Sequence, residues 1–192
     1  ATENRGEGIF IEFDKEAIHT WAESTAVKER AQKLHDGFRA KFEDSEKKPF
    51  FGAPFYMIHS FSHLLMNRIA LECGYPASSI RERVYATKDG FGLRVYTGSS
   101  DAQGTFGGFV GISPTISDLI RRALIGAELC SNDPVCAHDE PNLDNQRELL
   151  GSACHGCQLV AETSCEWGNN YLDRELVVKT MRTADAEFFK CS

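Results

Sequence analysis

No stretch of eighteen consecutive apolar residues occurs in this chain, so no segment reads as a membrane-crossing helix. The longest apolar stretch, around Phe50–Phe61, is broken by Gly52, Pro54 and His59. No signal-peptide pattern opens the sequence. The phosphate-cradling loops are missing too. The glycines at 104, 107, 108 and 111 are not followed by Gly-Lys-Ser/Thr, and GxGxxG is absent. His59 and His63 have the spacing of two helical ligands, but the zinc-protease pattern needs Glu after the first, where this chain has Ser60. Positive charge is in the minority: 21 Lys and Arg face 28 Asp and Glu, for a net charge of −7. That excludes a surface binding nucleic acid all round, because neutralising phosphates takes Lys and Arg. Arg68, Arg81, Arg83, Lys88 and Arg94 fall in one stretch, against Glu72, Glu82 and Asp89. A local basic face is one reading of it, and ordinary solvated charge the other.

The seven cysteines are an odd number. A disulfide framework would leave one unpaired, and nothing points to secretion. A reducing cytoplasm, with thiolates free to hold metal, is the expected compartment. Four of them read Cys130-x5-Cys136, a break of seventeen residues, then Cys154-x2-Cys157. A pair, a gap and a tight CxxC is the spacing of a four-coordinate structural zinc site. Asn132-Asp133-Pro134 supplies a turn that brings the first two sulfurs together. Cys165 is the reserve ligand, ahead of His138 and His155, and the plain alternative is core or incidental thiols. A site filled with thiolates has no open position, so the expected role of the zinc is structural, with one ion per chain.

A chain of 192 residues, 42% of them hydrophobic, is expected to form one domain spanning 1–192. It opens on Ala1 rather than Met, which reads as an excised piece of a larger protein. Gly8–Phe13 alternates as a strand, and Asp14 caps a short helix with Ile18 and Trp21. Val27, Ala31, Leu34, Phe38 and Phe42 form one face of a helix over about 25–43. A helix over about 54–73 is apolar on most sides and therefore buried on most sides. Ser79 and Glu82 pattern as a capping box for a short turn. Gly92–Thr97 and Thr105–Ile112 read as neighbouring strands, and Ser113-Pro114 opens a helix that delivers Cys130. Short helices are expected over 142–150 and 171–181. The whole predicts an α+β fold, a small sheet packed on four or five helices.

A second constellation sits in the apolar helix. His59 and His63 share a face at i, i+4 and could form a polar pocket with Asp101 and the glycine loop at Gly107 and Gly108. The corresponding function is a metal-dependent hydrolase, specifically a nuclease; the bland reading is histidines hydrogen-bonded in a crowded core. The glycines equally fit a twisted strand or a backbone-amide anion cradle. Cys73 sits late in an apolar helix and reads as inert.

Taken in order, several segments resemble one known family. They are His59-Ser-Phe-Ser-His-Leu-Leu, Glu72-Cys-Gly-Tyr, Ser79-Ile-Arg-Glu-Arg, Val95-Tyr-Thr, Asp101-Ala-Gln-Gly-Thr-Phe-Gly-Gly, Cys130-Ser-Asn-Asp-Pro-Val-Cys, Ala153-Cys-His-Gly-Cys, Glu162-Thr-Ser-Cys-Glu and Leu172-Asp-Arg. Together they resemble the helicase-associated zinc-binding domain of MrfA-type repair helicases, in the version carried by DrmB of the DISARM antiphage system. The resemblance covers about 6–178. It implies a domain of a large helicase or helicase-partner protein, with zinc on Cys130, Cys136, Cys154 and Cys157. It also implies work beside a helicase subunit on foreign DNA. No helicase motif occurs here, so the resemblance carries over no catalytic residue. The expected function is a non-catalytic accessory module for partner docking, DNA engagement or both, with no membrane and no small-molecule substrate.

Overall fold

The computed structural model describes residues 7–42, 50–97, 111–143, 146–182 and 185–190. Asp101, Gly107, Gly108 and most of the strand expected over 105–112 lie outside the described residues. Strand β1 (Gly8–Phe13) is followed by helices α1 (Lys15–Ala22), α2 (Thr25–Lys41) and α3 (Gly52–Cys73). Strands β2 (Ile80–Ala86) and β3 (Phe91–Thr97) come next, then helix α4 (Ile116–Ala127). The fold is α+β, as the residue pattern predicts. None of the described helices is long and apolar enough to cross a membrane.

Local chemistry accounts for most boundaries. Asp14 caps α1 by accepting the Ala17 amide at 2.7 Å, and Ser24 does the same for α2 at Val27. Gly74 ends α3 in the left-handed region, at φ 67°. The sheet runs β1-β3-β2, antiparallel throughout. Its third strand is a correction. Ile80–Ala86 is a strand, preceded by a single 3-10 turn at Ala77–Ser79, and Glu82 faces the core instead of capping a turn. Residues 111–112, the described end of the expected strand, are helical.

The inward side of the sheet (Ile9, Ile11 and Phe13; Phe91, Leu93 and Val95; Ile80, Glu82 and Val84) packs on α3. The helix is buried on nearly every side from Phe55 to Met66, polar His59, Ser60, Ser62 and His63 included. On α2 the buried stripe is Val27, Arg30, Leu34 and Phe38. Arg30 is the member that hydrophobic periodicity does not find.

Beyond Ala127 the described chain has no α-helix, only 3-10 turns at Cys136–His138, Glu162–Ser164 and Arg174–Leu176. The helices expected over 142–150 and 171–181 do not form in the described residues. Arg147 and Asn142 instead close a turn on each other's backbone, the Arg147 amide donating at 3.0 Å. From Leu172 to Val178 every residue is buried, and a helix there would have to bury Asp173, Arg174 and Glu175 on three sides at once. The charges find partners on separate elements instead. Arg30 Nε donates to Asp173 at 2.6 Å, and Arg174 Nη2 donates to Asp133 at 2.7 Å. The segment is also stitched to its neighbours by backbone, with Gly151 N–H on Leu172 O (2.9 Å) and Arg174 N–H on Ser152 O (3.0 Å).

Gly37 lies inside α2 where the loop around Pro141 and Glu148 crosses it. A Cβ there would collide with the Glu148 carbonyl and the Pro141 ring. Ala normally gains about 1 kcal/mol over Gly inside a helix. Here the sign reverses, because backbone cannot step aside. Gly37→Ala is expected to lower stability by about 1–3 kcal/mol in urea unfolding; an unchanged or raised midpoint would contradict this packing.

Candidate metal centre

Cys130, Cys136, Cys154 and Cys157 offer sulfurs that all lie within 4.8 Å of one another. Two short loops bring them there. In the first, Asp133 accepts the Cys130 amide at 2.8 Å, and Cys136 N–H closes on Asn132 O at 3.0 Å. In the second, Cys157 and Gln158 both donate to the Cys154 carbonyl, at 3.1 and 2.9 Å. Gly156 lets the loops meet: a Cβ on it would come within 2.7 Å of Ser131 Oγ and 3.4 Å of Cys130 Sγ.

The Sγ–Sγ distances are 3.4 Å (Cys130–Cys154), 3.7 Å (Cys136–Cys157) and 3.7 Å (Cys154–Cys157). A disulfide needs about 2.05 Å, and all four are free thiols. Four sulfurs at about 2.3 Å from a tetrahedral zinc stand about 3.8 Å apart, so the set fits that ion. Backbone amides point at the sulfurs, Asn132 N–H at Cys130 (3.4 Å) and Gly156 N–H at Cys154 (3.3 Å). As thiols alone, the four compete for charge. The hydrogen bond with Cys157 pushes Cys136 far above the usual thiol range and brings Cys157 down to about 6. Burial pushes Cys130 up to about 11. A dication removes that competition by stabilising every thiolate together.

Arg174 backs the site. Its guanidinium is fully buried and donates to Ala127 O in the last turn of α4 (2.8 Å) as well as to Asp133. One cation thus joins the end of α4 to the first sulfur loop and offsets thiolate charge. Helix α4 itself stops at Ala127, three residues short of Cys130.

The remaining candidates fall elsewhere. His138 and His155 are exposed and outside the sulfur cluster. Cys165 joins His59, His63 and Glu82 in a second group of converging donors. Both histidine rings are fully buried. Their Nδ1 atoms meet carbonyls, Tyr171 O at 3.2 Å and Gln158 O at 2.9 Å, and their Nε2 atoms meet Glu82 Oε1 at 2.7 and 3.1 Å. Burial works against charge on this pair, but mutual attraction outweighs it, leaving His59 up at about 10 and Glu82 down at about 2. Residue spacing did not find Glu82. Its signal in the sequence is a lone acid at an inward position of β2.

The profile of the MrfA Zn-binding domain matches residues 61–158, a span that includes all four clustered cysteines. The chain is also 43% identical over 195 residues to the DISARM protein DrmB of Bacillus paralicheniformis. This chain belongs to the MrfA Zn-binding domain family. The match to DrmB covers 99% of the chain and 34% of that relative, so the chain spans about a third of its length.

For this MrfA Zn-binding domain the buried Arg174–Asp133 pair yields a prediction. Arg174→Met leaves Asp133 buried without its cation, and is expected to cost about 3–5 kcal/mol in urea unfolding. A loss under about 1 kcal/mol would mean the guanidinium does not tie α4 to the sulfur loop.

Proposed function

We propose that this chain is a non-catalytic accessory domain of an antiphage-defence protein resembling DrmB. In this reading Cys130, Cys136, Cys154 and Cys157 hold a structural zinc, and the sheet's outer face engages single-stranded DNA. The zinc assignment is supported by the family match and by the thiol-only donor set, which suits zinc and leaves no open position for chemistry.

One observation carries the DNA reading. The outward rows of the sheet are Gly8–Tyr96–Arg81, Phe10–Arg94–Arg83 and Glu12–Gly92–Tyr85, so three arginines share this face with one acid, Glu12. Arg83 and Arg94 are directly opposed across β2 and β3, and like charges facing each other destabilise a sheet. Glu82 in the same stretch points inward, so it does not neutralise them. Glu166 approaches Arg83 at 3.6 Å. Aromatic rings stand among the arginines: Phe10 is 59% exposed and edge-on to Tyr85, and Arg94 lies over the Tyr96 ring at 4.9 Å. Gly92 leaves room for the Phe10 ring, 2.6 Å from where a Cβ would sit. Arginines interleaved with open aromatic faces give phosphate contact and base stacking together, the combination single strands need. The net charge of −7 confines such binding to this face.

Docking to a helicase partner is the second reading, favoured by a groove beside the sulfur loops that exposes Leu71 (77%) and Leu129 (69%). The hydrolase reading has no comparable support, since His59 and His63 are closed off from solvent.

Titrating a fluorescent single-stranded oligonucleotide with the full chain at two salt concentrations separates these readings. Three phosphate contacts predict a log–log salt slope of roughly −2. The double substitution Arg83→Ala, Arg94→Ala is expected to weaken binding about tenfold or more without lowering the melting temperature, because it removes a repulsive pair. Absence of DNA binding, with retained association with a helicase subunit, would replace the DNA reading with docking.

A further inference from the structure

We propose that His59, His63, Glu82 and Cys165 form a second metal site in this chain, for a divalent transition cation that their donor set matches best as zinc. The family match covers His63 and Glu82 but stops short of His59 and Cys165. The inference does not depend on what the domain docks or binds.

Convergence is the first argument. One donor atom from each of the four lies within 4.8 Å of all the others. His59 Nε2 is 2.7 Å from Glu82 Oε1 and 3.2 Å from Cys165 Sγ, and His63 Nε2 is 3.1 Å from the same oxygen. Bonds of about 2.0–2.3 Å to one tetrahedral zinc place neighbouring donors about 3–4 Å apart. A small inward or outward adjustment of these side chains admits the ion.

Orientation is the second. A carbonyl oxygen can only accept, so the contacts to Tyr171 O and Gln158 O put the Nδ1 protons of both rings outward. In neutral rings both Nε2 lone pairs then face the centre, which is how metal-binding imidazoles are held. The Ser62 hydroxyl meets the other oxygen of Glu82 and holds the carboxylate in place.

The third argument is the sulfur. Cys165 Sγ receives the amides of Trp167 (3.3 Å) and Asn169 (3.4 Å). The contact two residues on repeats at Cys130 with Asn132 and at Cys154 with Gly156. Cys165 is therefore dressed like the thiols of the four-sulfur cluster.

Protons alone suit this cluster poorly. A single Nε2–H of His59 cannot aim at both Glu82 and Cys165. Protonating both rings would put two imidazolium ions 4.7 Å apart in a fully buried place. One dication satisfies all four donors and balances the carboxylate and thiolate. Two nitrogens, an oxygen and a sulfur fall within zinc's range of ligands. All four residues are buried, so the site is a closed staple joining α3, β2 and the turn at Cys165. The two metal sites are neighbours along the chain: Gln158, whose carbonyl holds His63, directly follows Cys157.

The test is metal content of the full chain, purified without added metal, by mass spectrometry against protein concentration. About two zinc ions per chain are expected from two four-coordinate sites. Cys165→Ser and His63→Gln should each remove one, and Cys157→Ser should remove the other. A single zinc that survives Cys165→Ser and His63→Gln overturns the proposal, whereas a single zinc lost with them would uphold it and refute the four-sulfur site. Should a variant fail to fold, zinc-edge X-ray absorption of the unsubstituted chain decides. Sulfur mixed with nitrogen and oxygen supports the second site, and a shell of sulfur alone overturns it.

Discussion

Sulfurs from two loops that are far apart in sequence have to meet at one point, and the closing third of this chain is shaped by that demand. After Ala127 the described residues contain neither α-helix nor sheet strand, so no backbone ladder orders them. What remains is one isolated backbone bridge, Leu150 with Leu172, and a set of point contacts: four converging thiols, Arg174 braced between α4 and Asp133, and Arg30 on Asp173. Irregular backbone of this kind can be buried only when its polar groups are satisfied individually. A tetrahedral metal is an efficient way of doing so, because one ion fixes four side chains from two segments.

Helix α3 receives that irregular segment. Its polar residues would be anomalies in a purely apolar core helix, but each has an assignment. Ser60 Oγ accepts the Asp173 amide at 2.7 Å, and Ser60 O accepts from the Gln158 side chain at 3.4 Å. His59 and His63 donate to Tyr171 O and Gln158 O while their other nitrogens face Glu82. The helix thus offers hydrogen-bond partners where a sheet edge would otherwise be needed, and seats the segment carrying Cys154 and Cys157. The same arrangement turns β2 so that Glu82 goes inward and Arg81 and Arg83 go outward. With Glu82 buried, the outer face of the sheet keeps Arg81, Arg83 and Arg94 against the single strand acid Glu12.

How much of this was legible in the residues depends on the range of the interaction. Strand β1 and helices α1 and α2 are set by alternation, caps and a 3.6-residue stripe, all local signals, and they stand within two residues of expectation. The four-cysteine cluster was legible because metal spacing is itself a local signal. Strand β2 was missed because Ser79 and Glu82 imitate a capping box, and an inward Glu breaks the apolar alternation that marks a strand. The segment 171–181 reads as a helix because Asn169 or Asn170 offers an N-cap ahead of it. Its real conformation is dictated by Arg30, Asp133 and Ser60, 41 to 143 residues away for the contacts made. Cys165 was a spare in the sequence, and only the fold shows that its neighbours are two histidines and a glutamate.

Hydrogen exchange of the full chain, read by mass spectrometry before and after metal is stripped with a chelator, tests the central claim most directly. If convergent metal ligands order the irregular third, amides of residues 130–158 lose protection on stripping, while α2 and the three sheet strands keep theirs. An exchange pattern that does not change when the metal is gone would contradict the account.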